Sequence, residues 1–363
     1  MTDAVKDLVL IQVGPSDRSG GIAHVMSAID EWMRTEGVST TTISTSCDGP
    51  LPKRIVFGVA GLLRAAWTMF RTPGALIHIH TASYGSFLRK AFALLAARAS
   101  GKPVLLHVHG GGFSCFIDRG PAWRKACIAA LLGQADAICV VNTRTMLAIA
   151  RLQPQARVSV IPNPVTLVCG RLTDPEPRRV LFLGRLGTTK GTDVLLEAIR
   201  LLQDADIAAG YVLAGDGDVE ATRAAVKTLP TPSAVSVPGW VNADDVHRLL
   251  HESSVFCLPS RFEGLPMALL QAMGHGLACV VTPVGGMNEV VANGVNGLVV
   301  PEGDPEAVAT ALGALLEDVG LRARLGRKAS RDILQSYAPE TVMHRLEGIY
   351  CELLSEGGPR ADA

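Results

Sequence analysis

Residues 259–300 read PSRFEGLPMALLQAMGHGLACVVTPVGGMNEVVANGVNGLVV. The apolar run VFCLP ahead of it is a predicted strand, left through a loop carrying Glu263 and Gly264. Pro266 follows where proline opens a helix without losing a bond, so a helix is predicted from Pro266 to about His275. The first-turn amides of Gly264, Leu265 and Met267, on either side of Pro266, would point outward unpaired, ready for a phosphate. Glu263 would repel a bare phosphate but suits a neutral, hydroxyl-rich group beside one. A sugar attached to a diphosphate meets both demands; a helix with an acid near its positive end is the plainer reading of the same residues.

Outward from this stretch the chain repeats one pattern. Short Val/Ile/Leu-rich runs bounded by Gly, Asp or Asn alternate with helical stretches, the signature of parallel sheets with crossover helices. The first half supplies LVLIQV, TTIST, ALIHIH, PVLLHVH, AICVV and VSVIP; the second supplies RVLFLG, YVLAG, VSVPG, VFCLP, LACVVT and GLVV. Between them lies Pro162-Asn163-Pro164 and then RLTDPEPRR, a Pro- and charge-containing linker. Two Rossmann-like α/β domains are therefore expected, over 1–167 and 168–338, with ligands in the crevice outside the strand ends. A last helix, about 339–356, carries Val342, Leu346, Ile349, Tyr350 and Leu353 on one face.

Several other segments bear chemistry. VLFLGRLGTTKGTDVLLEAI is strand, loop and helix, its loop holding Arg185 and Lys190 among three glycines, a composition suited to a diphosphate or to an ordinary solvated loop. Near the N-terminus, Gly20 and Gly21 sit between a strand and a helix, where a missing Cβ lets backbone approach a phosphate or sugar. His78 and His80 end one strand, His107 and His109 the next, and Gly110 follows directly. Alternation puts each pair on one side of its strand, so a metal site is conceivable, yet no carboxylate or cysteine joins at ligand spacing. Trp240 follows the strand VSVPG and either stacks on a base or packs.

The segment 259–300 closely resembles the donor-site signature of the family 4 retaining glycosyltransferases. Ser260, Glu263, Gly264, Ala272, Gly276, Gly285, Gly286, Glu289, Gly294 and Gly297 follow that pattern in order. One position departs: the family's second glutamate is Gln271 here. Gln accepts from ribose hydroxyls through its amide oxygen but loses the charge-assisted part, of order 1 kcal/mol or more. The resemblance implies a GT-B fold, two Rossmann-like domains facing a cleft with the last helix crossing back to the first. It implies that Glu263 meets the donor sugar and that Arg185 and Lys190 neutralise the leaving diphosphate. His109 would contact the sugar at the reaction centre, the Gly20-Gly21 loop would touch donor and acceptor, and Trp240 would lie near the base. His80 and Gly110 fall on the acceptor side, and no metal or other cofactor is expected. Asp216-Gly217-Asp218, which could pass for a D-x-D metal motif, falls at a strand-ending turn in this family.

Composition agrees with two domains of ordinary size: 363 residues, 48% hydrophobic, net charge zero. The charge is uneven. Residues 1–168 hold 17 Lys and Arg against 9 Asp and Glu, a net +8, so the first domain should face something anionic. Within it RIVFGVAGLLRAAWTMFR, 54–71, is apolar apart from its arginines. With Lys53, Arg89 and Lys90 it suits a membrane interface near a lipid-linked acceptor, or else it packs on the sheet with snorkelled arginines. The start MTDAVKD lacks a basic signal region, no apolar run spans a bilayer, and eight scattered cysteines read as buried reduced thiols. The expectation is a cytoplasmic transferase, peripheral at the inner membrane face, taking a nucleotide sugar and a glycan or lipid-linked acceptor and no nucleic acid. A donor-binding protein without turnover, or an epimerase or phosphorylase on the same fold, is the alternative.

Overall fold

The computed structural model describes residues 8–16, 21–109, 112–165 and 178–356. The chain divides into two compact units, Met1–Pro164 with Pro339–Ala363, and Val165–Ala338. The twelve predicted strand segments correspond to the twelve strands among the described residues.

The first unit holds β1 (Val9–Gly14), β2 (Ser39–Ser44), β3 (Ala75–Thr81), β4 (Val104–Val108), β5 (Ala137–Val140) and β6 (Val158–Val160), all parallel, in the order β2-β1-β3-β4-β5-β6. Its helices are α1 (Gly21–Thr35), α2 (Leu51–Arg71), α3 (Gly85–Ala99), α4 (Phe113–Asp118), α5 (Ala122–Leu132) and α6 (Thr143–Leu152). All seven residues of β3 are buried, which is why these strands read as continuous apolar runs. Alternation distributes them over two cores. Leu10, Leu76 and Leu105 pack on one side of the sheet, Ile11, Ile77 and Leu106 on the other.

The second unit holds β7 (Arg179–Leu183), β8 (Gly210–Ala214), β9 (Val235–Gly239), β10 (Val255–Leu258), β11 (Ala278–Val281) and β12 (Leu298–Val299), parallel, in the order β12-β11-β10-β7-β8-β9. Between and after them run α7 (Thr192–Asp204), α8 (Val219–Val226), α9 (Ala243–Glu252), α10 (Met267–Gly274), α11 (Met287–Val290), α12 (Pro305–Glu317) and α13 (Val319–Ser336). α7 shows how the sequence sets a helix face: Val194, Leu195, Ala198, Ile199 and Leu202 recur at helical spacing and are buried. Asn242, Asp304 and Asp318 cap α9, α12 and α13 through their side-chain oxygens.

α14 (Pro339–Glu356) closes the chain and belongs to the first unit. Val342, Leu346, Tyr350 and Leu353 are buried against Leu8, Leu10, Ile29 and Leu105, with Ile349 half-buried beside them. Trp32 donates its indole N–H to Glu347 at 2.8 Å, and Arg345 donates to the Val160 carbonyl at 2.7 Å.

Three expectations need correction or restriction. Lys90 is not a surface cation: α3 turns Phe87, Lys90, Ala93, Leu94 and Ala97 inward. The cysteines are not uniformly buried. Cys47, Cys139, Cys257 and Cys279 are, whereas Cys127 is exposed. Gly20 and Gly110 lie outside the described residues.

Candidate active site

Parallel α/β sheets bind ligands where the strand order reverses, because adjacent loops there lead away in opposite directions and leave a crevice. In the second unit the reversal falls between β7 and β10, and the two loops that flank it carry Lys190 and Glu263. Lys190 Nζ lies 2.6 Å from Glu263 Oε1, and Ser260 donates to the same oxygen at 2.9 Å. The Glu263 side chain is only 5% exposed against 26% for Lys190, so the carboxylate is held from behind while the ammonium reaches outward. The loops are pinned together by backbone. At Gly191 (φ 73°) a Cβ would sit 2.0 Å from the Pro259 carbonyl oxygen, so only glycine permits the approach. Arg261 adds a two-pronged ion pair to Asp193, both contacts 2.8 Å, and donates to the Thr188 carbonyl at 2.6 Å. That guanidinium holds the Asp193 carboxyl below the usual range.

The other residues expected on the donor side lie on loops of the same unit. α10 begins after Pro266 with no side-chain cap, and the amides of Leu269 and Leu270 turn back to the Pro266 carbonyl. Gly286 donates to the Gly264 carbonyl at 2.5 Å, tying the loop after β11 to the Glu263 loop. Gln271 is half-buried one turn into α10. Arg185 is 71% exposed, with Asp216 at 3.8 Å as a loose partner. Trp240 is exposed on the loop after β9, favouring a stacking surface over a packed side chain.

In the first unit the reversal falls between β1 and β3. Here the two His-x-His pairs meet. His80 Nδ1 is 2.9 Å from His109 Nε2, and His78 Nε2 is 3.3 Å from His107 Nδ1. Gln12 Oε1 lies 3.1 Å from His80 Nε2, the Asn163 amide 3.2 Å from His109 Nδ1, and the Tyr350 hydroxyl 2.8 Å from His78 Nδ1. Burial pushes the His109 imidazole down to about 4 and the other three well below their ordinary value, so all four are neutral at pH 7.

Neutrality makes the protons countable. Gln12 must donate to the Met26 carbonyl, 3.1 Å away, so its oxygen faces His80 and His80 carries its proton on Nε2. His80 Nδ1 is then an acceptor, which places the His109 proton on Nε2 and a lone pair on His109 Nδ1. Asn163 Oδ1 stands 3.2 Å from that nitrogen, and turning the carboxamide, whose O and N are alike in shape, would set its NH2 group there instead. His78, His80 and His107 are close enough for one ion, their candidate ligand atoms lying within 4.8 Å of one another. The His78 and His80 rings are tilted 32° to one another with centroids 4.0 Å apart, and each has hydrogen-bonding neighbours, Tyr350 and His107 at His78, Gln12 and His109 at His80.

Sequence reading missed four contributors: Gln12, Lys90, Asn163 and Tyr350. Gln12, a lone carboxamide inside LVLIQV, was the one visible signal. Lys90 is buried and donates to Thr45 Oγ1, which in turn donates to the Gly14 carbonyl. Burial, with the Arg89 charge adding to it, lowers its ammonium to about 7.

Two six-stranded parallel sheets in separate units, each with polar groups at its reversal, define a GT-B protein. The sequence pattern of the glycosyltransferases of family 4 matches residues 19–168, and that of the glycosyl transferases group 1 matches 177–318. The chain belongs to this family. It is 34% identical over 144 residues to the amylovoran biosynthesis glycosyltransferase AmsK of Erwinia amylovora, covering 38% of this chain and 35% of that one. It is 24% identical over 300 residues to the UDP-Gal:alpha-D-GlcNAc-diphosphoundecaprenol alpha-1,3-galactosyltransferase of Escherichia coli, covering 77% and 76%. Several other curated relatives are matched over less than half their own length, for example 45% and 42%. Among solved structures, Anabaena Alr3699/HepE in complex with UDP-glucose superposes with a TM-score of 0.74 at 16% identity, over 95% of this chain and 99% of that one, a likeness of fold.

Proposed function

We propose that this chain is a retaining, metal-independent glycosyltransferase. It moves a sugar from a nucleoside-diphosphate sugar to a hydroxyl of a glycan or lipid-linked glycan in cell-surface polysaccharide or glycolipid assembly, at the cytoplasmic face of the membrane. The observation that carries this reading is the Lys190–Glu263–Ser260 contact at the strand-order reversal of the second sheet, beside the uncapped start of α10.

That contact has a chemical use. A buried carboxylate paired to an outward ammonium can exchange partners: a diphosphate takes Lys190, and Glu263 turns its freed oxygen to a sugar hydroxyl. As the bond from the anomeric carbon to the diphosphate oxygen breaks, Lys190, Arg185 and the α10 amides stabilise the charge growing on the leaving group. The acceptor hydroxyl adds to the same face of the sugar ring and its proton passes to the departing phosphate oxygen. His109, its Nδ1 lone pair set by the Gln12–His80 chain, accepts from a sugar hydroxyl once Asn163 yields. Gln271 accepts from the ribose and Trp240 stacks on the base.

Uridine is the first base to try, since the HepE complex holds UDP-glucose and the E. coli relative is named for UDP-Gal. That relative's diphosphoundecaprenol acceptor likewise motivates a lipid-linked acceptor. A thermal-shift series with UDP-, GDP- and ADP-sugars tests the donor class. One nucleotide should raise the midpoint by several degrees at saturation, because a ligand that binds only the folded state stabilises it. Equal, null responses to all three would remove the donor assignment. Gln271 is the one residue that favours a chain that binds donor without turning it over.

A further inference from the structure

We propose that α2 and α3 together form a docking face that lies in the headgroup region of an anionic lipid bilayer. This inference adds a partner to the proposed transferase. It rests on that reading only for its purpose and stands on the surface itself.

α2 is built inside out. Its buried residues are Gly58, Gly61, Ala65 and Met69, mostly too small to contribute a core. At Gly61 a Cβ would lie 2.2 Å from the Ser44 carbonyl oxygen, so the helix backbone rests directly on the end of β2. Its large apolar side chains point the other way. Seven of them, running from Leu51 through Leu63 and Trp67 to Phe70, are each 53% or more exposed. Their spacing of three, four or one residues places them on a single stripe. α3 packs beside α2 and exposes Leu88, Phe92 and Leu95 of its own. Ordinary surface helices bury such residues, and a contiguous apolar face of this size marks an interaction site.

Charge selects the occupant. Residues 51–99 contain no Asp or Glu, while Lys53, Arg54, Arg64 and Arg71 of α2 and Arg89 of α3 are exposed. The Arg71 guanidinium lies over the Trp67 ring, 5.5 Å from its centroid, a basic and aromatic pair of the kind found at the level of lipid phosphates. A second copy of this chain docked about a two-fold axis would set these cations against themselves. An anionic lipid surface pairs with them and covers the apolar stripe at once. No described helix is long and apolar enough to cross a membrane, so this face lies on the bilayer.

The test is co-sedimentation of the full chain with vesicles of phosphatidylcholine alone or mixed equally with phosphatidylglycerol, without nucleotide or sugar. The protein should bind the anionic vesicles, release them as salt rises, and bind the neutral ones at least tenfold less tightly. Trp67→Ser with Phe70→Ser should weaken binding about tenfold or more, and Arg64→Glu with Arg71→Glu should remove the preference for anionic lipid. All four side chains are exposed, so unchanged melting of the variants certifies their fold. The proposal is overturned by absence of binding at low salt or by binding unchanged in the Trp67/Phe70 variant. It is equally overturned by a concentration-dependent dimer that these substitutions abolish while vesicles go unbound. Loss of sugar transfer in a variant that still binds vesicles would strike the transferase reading and leave the docking face intact.

Discussion

Single residues carry most of the chemistry, and their roles follow from which atom each neighbour occupies. Glu263 is held by Ser260 and Lys190 through one oxygen, so it is oriented before any ligand arrives. His109 is oriented at one remove: the Met26 carbonyl fixes Gln12, Gln12 fixes His80, and His80 fixes the His109 tautomer. In the native protein, nitrogen-15 spectra of the imidazoles should therefore place the proton of both His80 and His109 on Nε2. Gln12→Leu should yield a tautomer mixture and cost roughly 1–3 kcal/mol of stability through the buried His80 N–H left unpaired. A native His109 with its proton on Nδ1 would refute the chain. Gln12 was readable as an oddity in an apolar strand. Its purpose was not, because the residues it serves are 68 and 97 positions away along the chain.

At the scale of elements, β3 and β4 bring four neutral histidines to the end of one sheet. Their folded pKa values lie below the ordinary 6.5, so between 6.5 and the folded values the unfolded chain binds more protons than the native one. Stability is then fully present above about pH 6.5 and is lost as pH falls, by up to about 1.4 kcal/mol per histidine per pH unit. Melting in the first unit should drop by about 10 °C or more between pH 7 and pH 5. A flat profile over that interval would show that the histidines are charged or exposed. The twelve strands were legible because period-2 burial and Val/Ile/Leu runs are local signals, and α14 was legible from its apolar face. The inward turn of Lys90 was not, since sequence shows a helix's periodicity but not which stripe meets the sheet when both stripes are apolar. α2 taught the same lesson in reverse, its large residues lying outside and its glycines inside.

For the molecule as a whole, two units with the same architecture divide the work. The second presents a carboxylate, two cations and a helix start where its strand order reverses. The first presents a neutral histidine chain and a basic, apolar helix face. The chain's even charge balance conceals this division, which its net +8 over residues 1–168 announces. The assignment of that second site is tested most directly by one comparison: the rate of sugar transfer from the donor that thermal shift selects to a membrane-extracted acceptor, for the native chain and for Glu263→Ala. The account predicts measurable transfer with the anomeric configuration retained, and a loss of about 100-fold or more in the variant while its melting stays near native. Near-native turnover by Glu263→Ala, or no transfer by the native chain, would contradict it.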